Sequence, residues 1–250
     1  MLTLFTVLKP FTDPHVACIQ LNALRSWQQL PGGVQIIAFG DKPGVADVCS
    51  ELGIQHVSGI RCHPGGMEYV SDAFRQAWTI GKYDLMCYVN GDIILPPTFC
   101  DVVNAIDCAD YLMVGQRHNT PVSHAIPFPV GWWRDLQTLA LATGHRHTAN
   151  GADYFVHRRE QFAPLPDLVV GSWFWDNALI GRALAAGSLV IDATETVLAI
   201  HQDHSYQHYE GGLGGIAEGA ESAANREQLA GGRVYTITDA HVRLLKAGWG

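Results

Sequence analysis

Tyr83-Asp84-Leu85-Met86-Cys87-Tyr88-Val89-Asn90-Gly91-Asp92-Ile93-Ile94-Leu95 is an apolar run of strand length, broken once by an Asn-Gly turn with a single acid and then apolar again. A run of this kind reads as a buried strand, which places Asp92 at its carboxyl end. In open α/β sheets ligands bind at that edge. A carboxylate held there suits a hard cation that bridges two phosphates. Asp92 also reads as a turn aspartate bonded to its own backbone.

Outward from this stretch, apolar segments at 2–8, 34–39, 56–57 and 84–89 alternate with helical spacing over 16–29, 44–52 and 67–80. The breakers Pro31-Gly32-Gly33, Gly53 and Gly81 fall where those helices should stop. The alternation predicts an α/β fold, a Rossmann-like and mostly parallel central sheet with helices on both faces. The first loop, Lys9-Pro10-Phe11-Thr12-Asp13-Pro14, has no GxGxxG, which removes the dinucleotide fingerprint of dehydrogenases. Further on, strands are expected at 111–116, 153–157 and 189–200, and a helix over 174–186. Trp132, Trp133, Trp173 and Trp175 are expected in or beside long loops, where aromatic stretches often build binding surfaces. Residues 211–232 are rich in Gly and Ala, with little to bury, and read as a mobile tail or a cover for a ligand.

The 250 residues are 48% hydrophobic, enough for one domain with a large core. We divide it into a first half (1–95), a second half (96–210) and a Gly-rich tail (211–250). The net charge is -8 with Lys and Arg scattered, so no footprint for nucleic acid is present. A chain this acidic needs local compensation to hold a nucleotide diphosphate, from a metal, a helix N-terminus or a few basic side chains. The cysteines form no CxxC pair and read as reduced thiols of an intracellular protein. Lys9 and Pro10 cut off the first apolar run, too short for a signal core or a membrane span. A cytoplasmic location is expected, with any membrane contact peripheral and through a partner.

Three further segments concentrate chemistry. His201-Gln202-Asp203-His204-Ser205-Tyr206-Gln207-His208 follows an apolar strand, and imidazole suits Mn²⁺ or Zn²⁺. His201 and His204, three apart, share one side of a turn in this reading; the alternative is a histidine-rich surface loop. No Cys lies near, which disfavours a closed structural zinc site. Gly171-Ser172-Trp173-Phe174-Trp175-Asp176-Asn177 leads aromatics into a helix with Asp176 in its first turn. Such an acid serves either the helix dipole or as a base toward a bound hydroxyl. Asp72 and Arg75 lie on the helix before the Asp92 strand, and Asp153 opens a later strand.

Asn90-Gly91-Asp92 resembles the DxD motif of the GT-A nucleotide-sugar glycosyltransferases, with Asn in the place of the first acid. The resemblance spans about residues 2–208, and the order of its short motifs carries it. It implies that Asp92 holds Mn²⁺ or Mg²⁺, that His201 or His204 completes the metal site, and that Asn90 bonds a sugar hydroxyl. It makes 1–95 a nucleotide-binding half and 96–210 an acceptor half, with Asp72, Arg75 and Lys9 on the nucleotide side. Asp176 is implied as the base if the enzyme inverts, or as an acceptor-positioning acid if it retains. Asp153, Trp173 and Trp175 are implied to line the acceptor pocket. The implied activity is transfer of a sugar from a nucleoside diphosphate sugar donor to a hydroxyl acceptor, a glycan foremost. A metal-dependent nucleotidyltransferase or hydrolase, or a silent GT-A-like binding module, are the alternatives. No P-loop, GxSxG or HExxH competes.

Overall fold

The computed structural model describes residues 1–204 and 212–245, with the side chains of 212 and 213 excepted. The first half runs β1 (Leu2–Val7), α1 (Pro14–Gln28), β2 (Val34–Phe39), α2 (Val45–Leu52), β3 (Gln55–Val57), α3 (Val70–Ile80) and β4 (Leu85–Val89). There follow β5 (Ile93–Ile94), α4 (Phe99–Asn104), β6 (Tyr111–Val114), β7 (Arg117–Thr120), α5 (Trp132–Thr143), β8 (His145–Arg146) and β9 (Tyr154–Arg158). The rest is α6 (Trp175–Ala186), β10 (Leu189–Asp192), β11 (Ala199–Gln202), α7 (Gly212–Glu218), α8 (Ala220–Glu227) and β12 (Val242–Arg243).

Eight strands form the main sheet in the order β12-β10-β6-β9-β4-β1-β2-β3. Only β9 runs antiparallel to its neighbours β4 and β6. Alternation along β1 shows how the sheet is covered. Leu2 and Leu4 join Ala23, Leu24 and Trp27 of α1 in one core, while Phe5 and Val7 join Phe74 and Ala77 of α3 in the other. Helices therefore lie on both faces, as the pattern of the sequence predicts. Asp13 starts α1 by accepting the N–H groups of His15 and Val16, and Pro14 takes the position where a missing N–H costs nothing.

A second sheet, β5-β11-β7-β8, carries the site. It also holds one departure from the predicted elements. The single strand expected over 189–200 is two: Asp192 turns the chain by accepting the N–H of Thr194 at 2.9 Å, so that β10 and β11 belong to different sheets. Trp132 and Trp133 stand beside a loop, at the start of α5, where Trp132 is buried against Phe128 and Leu136 in a small third core. The tail is more than an open cover. Its α8 buries Ser222 and Asn225 fully, and Leu229 and Ile237 join the α6 core. Hydrogen bonds replace apolar area there, which composition does not show.

Candidate active site

The chain leaves β4 at Asn90, whose N–H donates to the Asp153 carbonyl at 2.9 Å, and the Ile93 N–H closes the turn on the Asn90 carbonyl at 3.1 Å. Between them Gly91 is required by space. A Cβ at this position would lie 2.9 Å from Leu8 Cδ2 and 3.3 Å from Gln20 Oε1. The turn delivers Asp92, 7% exposed, to the carboxyl edge of the sheet. β5 then pairs antiparallel with β11, setting Ile93 opposite His201. That register brings a residue 109 positions downstream of Asp92 beside it.

Asp92 Oδ2 lies 3.2 Å from His204 Nε2 and 3.9 Å from His201 Nε2. One donor atom from each of the three side chains falls within 4.8 Å of the others. Lys9, at the end of β1, sets its Nζ 3.4 Å from both Asp92 Oδ2 and His204 Nε2. Gln20 fixes the Lys9 backbone from both sides, accepting its N–H at 2.7 Å and donating to its carbonyl at 3.1 Å. Gln202, fully buried, donates to the Asp92 carbonyl at 3.1 Å and to that of Ile19 at 2.7 Å, and accepts from Asn22 at 2.9 Å. Burial alone would push the Asp92 carboxyl up. The charge of Lys9, the bond from His204 and the proximity of His201 overcome it and hold Asp92 well below the usual carboxylate range.

A carboxylate ionised in a buried place, beside two imidazoles, is a donor set for a divalent cation. The His201 ring turns Nε2 toward Asp92 and its buried Nδ1 toward Asp203, whose Oδ1 lies 3.8 Å away. Tyr206 and His208, the remainder of the histidine-rich stretch, lie outside the described residues.

Across β9 stands Asp176, in the first turn of α6 after Phe174, which adopts a left-handed φ of 76° at the helix start. Its Oδ2 accepts the Ala152 N–H at 3.1 Å, and it is 9% exposed. Burial pushes the Asp176 carboxyl up to about 6, against backbone N–H bonds that pull it down and with the nearby charge of Asp153 adding to the rise.

Other expected residues are placed differently. Trp175 is 5% exposed and packs on Tyr88 and Phe155, with ring centroids at 5.3 and 5.1 Å, so it is core and has no free face for a sugar. Trp173, 46% exposed, keeps one. Asp72 accepts from the Arg61 N–H at 3.0 Å and from Gln76 at 3.0 Å, and Arg75 pairs with Asp167 at 2.9 Å. Their charges are committed within an Arg61–Asp72–Arg75–Asp167 group rather than to the Asp92 cluster. The Asp153 carboxylate, 4% exposed, is likewise engaged, by Asn90 Nδ2 at 2.6 Å and Arg117 Nη1 at 3.2 Å. Arg117, Gln20 and Gln202 build the site without having stood out as functional. Arg117 lies in a polar strand with no pattern to mark it.

No protein-family model and no curated protein matches the chain. Solved structures do match in backbone. Glucosyl-3-phosphoglycerate synthase from Mycobacterium tuberculosis, in complex with Mn²⁺, uridine diphosphate and phosphoglyceric acid, aligns at a TM-score of 0.55 and 9% identity over 91% of this chain and 78% of that one. Mannosyl-3-phosphoglycerate synthase from Rubrobacter xylanophilus aligns at 0.51 and 16% identity over 83% and 69% of the two chains. A mycobacterial protein aligns at 0.54 and 12% identity, over 91% and 74%. At such identities the likeness is one of architecture: the chain has the GT-A fold, that of nucleotide-diphospho-sugar transferases.

Proposed function

We propose that the protein is a metal-dependent glycosyltransferase that moves a sugar from a nucleoside diphosphate sugar to a hydroxyl acceptor, foremost a glycan. The observation that carries the proposal is the convergence of Asp92, His201 and His204 at the carboxyl end of β4, in a fold whose solved examples include enzymes in complex with Mn²⁺ or Mg²⁺ and a nucleotide. Asp92 and the two histidines would hold the metal, Mn²⁺ or Mg²⁺. When bound, such an ion supplies electrostatic stabilisation to the charge developing on a leaving diphosphate.

The remaining roles fall to side chains of this chain. Lys9 adds a positive charge at the same edge, to face the diphosphate. Asn90 offers an amide to a sugar hydroxyl. Asp176, with its carboxyl raised to about 6, is largely ionised at neutral pH and accepts the acceptor's proton. Trp173 gives an exposed ring, suited to stack on a sugar. All six cysteines are free, which agrees with a reducing, cytoplasmic setting, and no described helix is long and apolar enough to cross a membrane.

Thermal unfolding with a panel of nucleotide sugars, with and without Mn²⁺, tests the proposal, since a ligand bound only by the folded state raises its stability. At least one nucleotide sugar is expected to stabilise the protein with Mn²⁺ and to lose most of that effect in EDTA. No stabilisation by any member of the panel would reject the proposal.

A further inference from the structure

The turn that presents Asp92 lacks an acid at position 90, and the structure supplies one from another strand. Asn90 meets Asp153 twice: its backbone N–H donates to the Asp153 carbonyl at 2.9 Å, and its Nδ2 donates to Asp153 Oδ1 at 2.6 Å. An ionised carboxylate only accepts, so this bond decides which end of the Asn90 amide faces it, the nitrogen toward Asp153 and the oxygen away. Arg117 Nη1 lies 3.2 Å from both Asp153 oxygens, the counter-charge that a carboxylate with 4% exposure requires. One residue earlier, the Ala152 N–H holds Asp176. The dipeptide Ala152-Asp153 thus touches the Asp92 turn with one residue and the candidate base with the other.

Asp153 does not belong to the group whose donor atoms lie within 4.8 Å of one another. Its contacts instead act on the residue that starts the turn. We propose that Asp153, balanced by Arg117, is a positioning residue of the metal site: from the position just before β9 it provides the carboxylate missing at position 90, locks the Asn90 amide, and so aims Asp92 toward His201 and His204. Ligand sets of this kind depend on hydrogen-bonded partners outside the set, whose loss typically weakens metal binding about 10–100-fold. Acid and amide at 153 and 90 form a complementary pair. Two ionised carboxylates at the separation of the Asn90 and Asp153 side chains would repel, whereas the pair with its members exchanged keeps one acid and one amide.

The inference rests on the metal reading given above, and Mn²⁺ titration followed by electron paramagnetic resonance, without nucleotide, separates the two. Asp153→Glu keeps the charge and moves it by one methylene; it is expected to weaken Mn²⁺ binding about 10–100-fold. The exchanged pair, Asn90→Asp with Asp153→Asn, is expected to bind Mn²⁺ close to the wild-type affinity. Melting curves report whether each variant is folded, and the exchanged pair decides if Asp153→Glu is not. Wild-type binding by Asp153→Glu, or a folded exchanged pair that has lost Mn²⁺, overturns the positioning role. A wild type that binds no Mn²⁺ overturns the metal reading as well.

Discussion

Asp176→Asn separates the chemistry of this carboxyl from its place in the fold. The amide has nearly the same shape, and its oxygen can keep the Ala152 N–H bond now made at 3.1 Å. What disappears is a carboxyl whose folded value is about 6 against an ordinary 3.8. Below the unfolded value both states are protonated and the group adds nothing. Between 3.8 and about 6 the unfolded chain ionises while the folded one keeps its proton, so the wild type loses stability as pH rises through that window. Above it the full difference of about 3 kcal/mol is in force. Asn carries no such dependence. The melting temperature of the variant relative to wild type should therefore climb by about 6–12 °C from pH 3 to pH 7, using about 2–4 °C per kcal/mol for a chain of this size. In the transfer assay the same variant should lose on the order of a hundredfold in rate, and the wild-type rate should fall as pH drops below about 6, where the base takes up its proton. A gap in melting temperature that does not change with pH would refute the raised carboxyl. Transfer at the wild-type rate would refute the base.

Asp92→Ala should abolish the Mn²⁺-dependent part of nucleotide-sugar binding in calorimetry, and equal affinity with and without EDTA in the wild type would count against the metal. Pulsed electron paramagnetic resonance of the Mn²⁺-loaded protein should show nitrogen coupling from His201 or His204; a first shell of carboxylate, phosphate and water alone would exclude both as ligands. Trp175→Ala should cost about 3–5 kcal/mol in denaturant unfolding, as a buried aromatic does, while Trp173→Ala should leave stability nearly unchanged and weaken acceptor use. Equal costs for the two would contradict their opposite exposure.

The first half of the fold is legible because its strands are buried on both faces and read as continuous apolar runs such as Leu85–Val89, bounded by glycines. The second sheet is not. β7 is Arg-His-Asn-Thr and β8 is His-Arg, so their pairing rests on backbone bonds that leave no hydrophobic period to read. The same contrast runs through the site. Asp92 shows in the sequence because an acid at the end of an apolar strand is conspicuous, and His201 and His204 show by their density. That they meet Asp92 is decided by the β5–β11 register, a pairing across 107 positions, Ile93 to His201 being 108 apart and Ile94 to Ile200 being 106. The partners of Asp72 and Arg75 are hidden for a related reason: the Asp167 that engages Arg75 is 92 residues away. Trp173 and Trp175 flank Phe174, whose left-handed backbone sends the chain into α6, and no pattern in three aromatic letters tells which ring goes inward.

The two sides of the site are held by different means, and this bears on where specificity resides. At Asp92 the turn is over-determined: Gly91 is packed against Leu8, the Asp92 carbonyl is bonded by Gln202, and Asn90 is bonded by Asp153. Packed and bonded from three directions, it has the support that a preorganised site needs. The aromatic loop ahead of Asp176 instead hangs on α8. Asn225 accepts the Val169 N–H at 2.8 Å and donates to the carbonyls of Val169 and Trp173, and Ser222 accepts the Trp173 N–H at 2.9 Å. Both are fully buried polar groups, so each bond lost leaves a donor or acceptor unsatisfied. α8 lies in the chain after His204, the histidine that reaches Asp92. α8 thus fixes the loop bearing Trp173 and leading into Asp176, and under the proposed function changes of acceptor are better sought along α8 than at the turn itself.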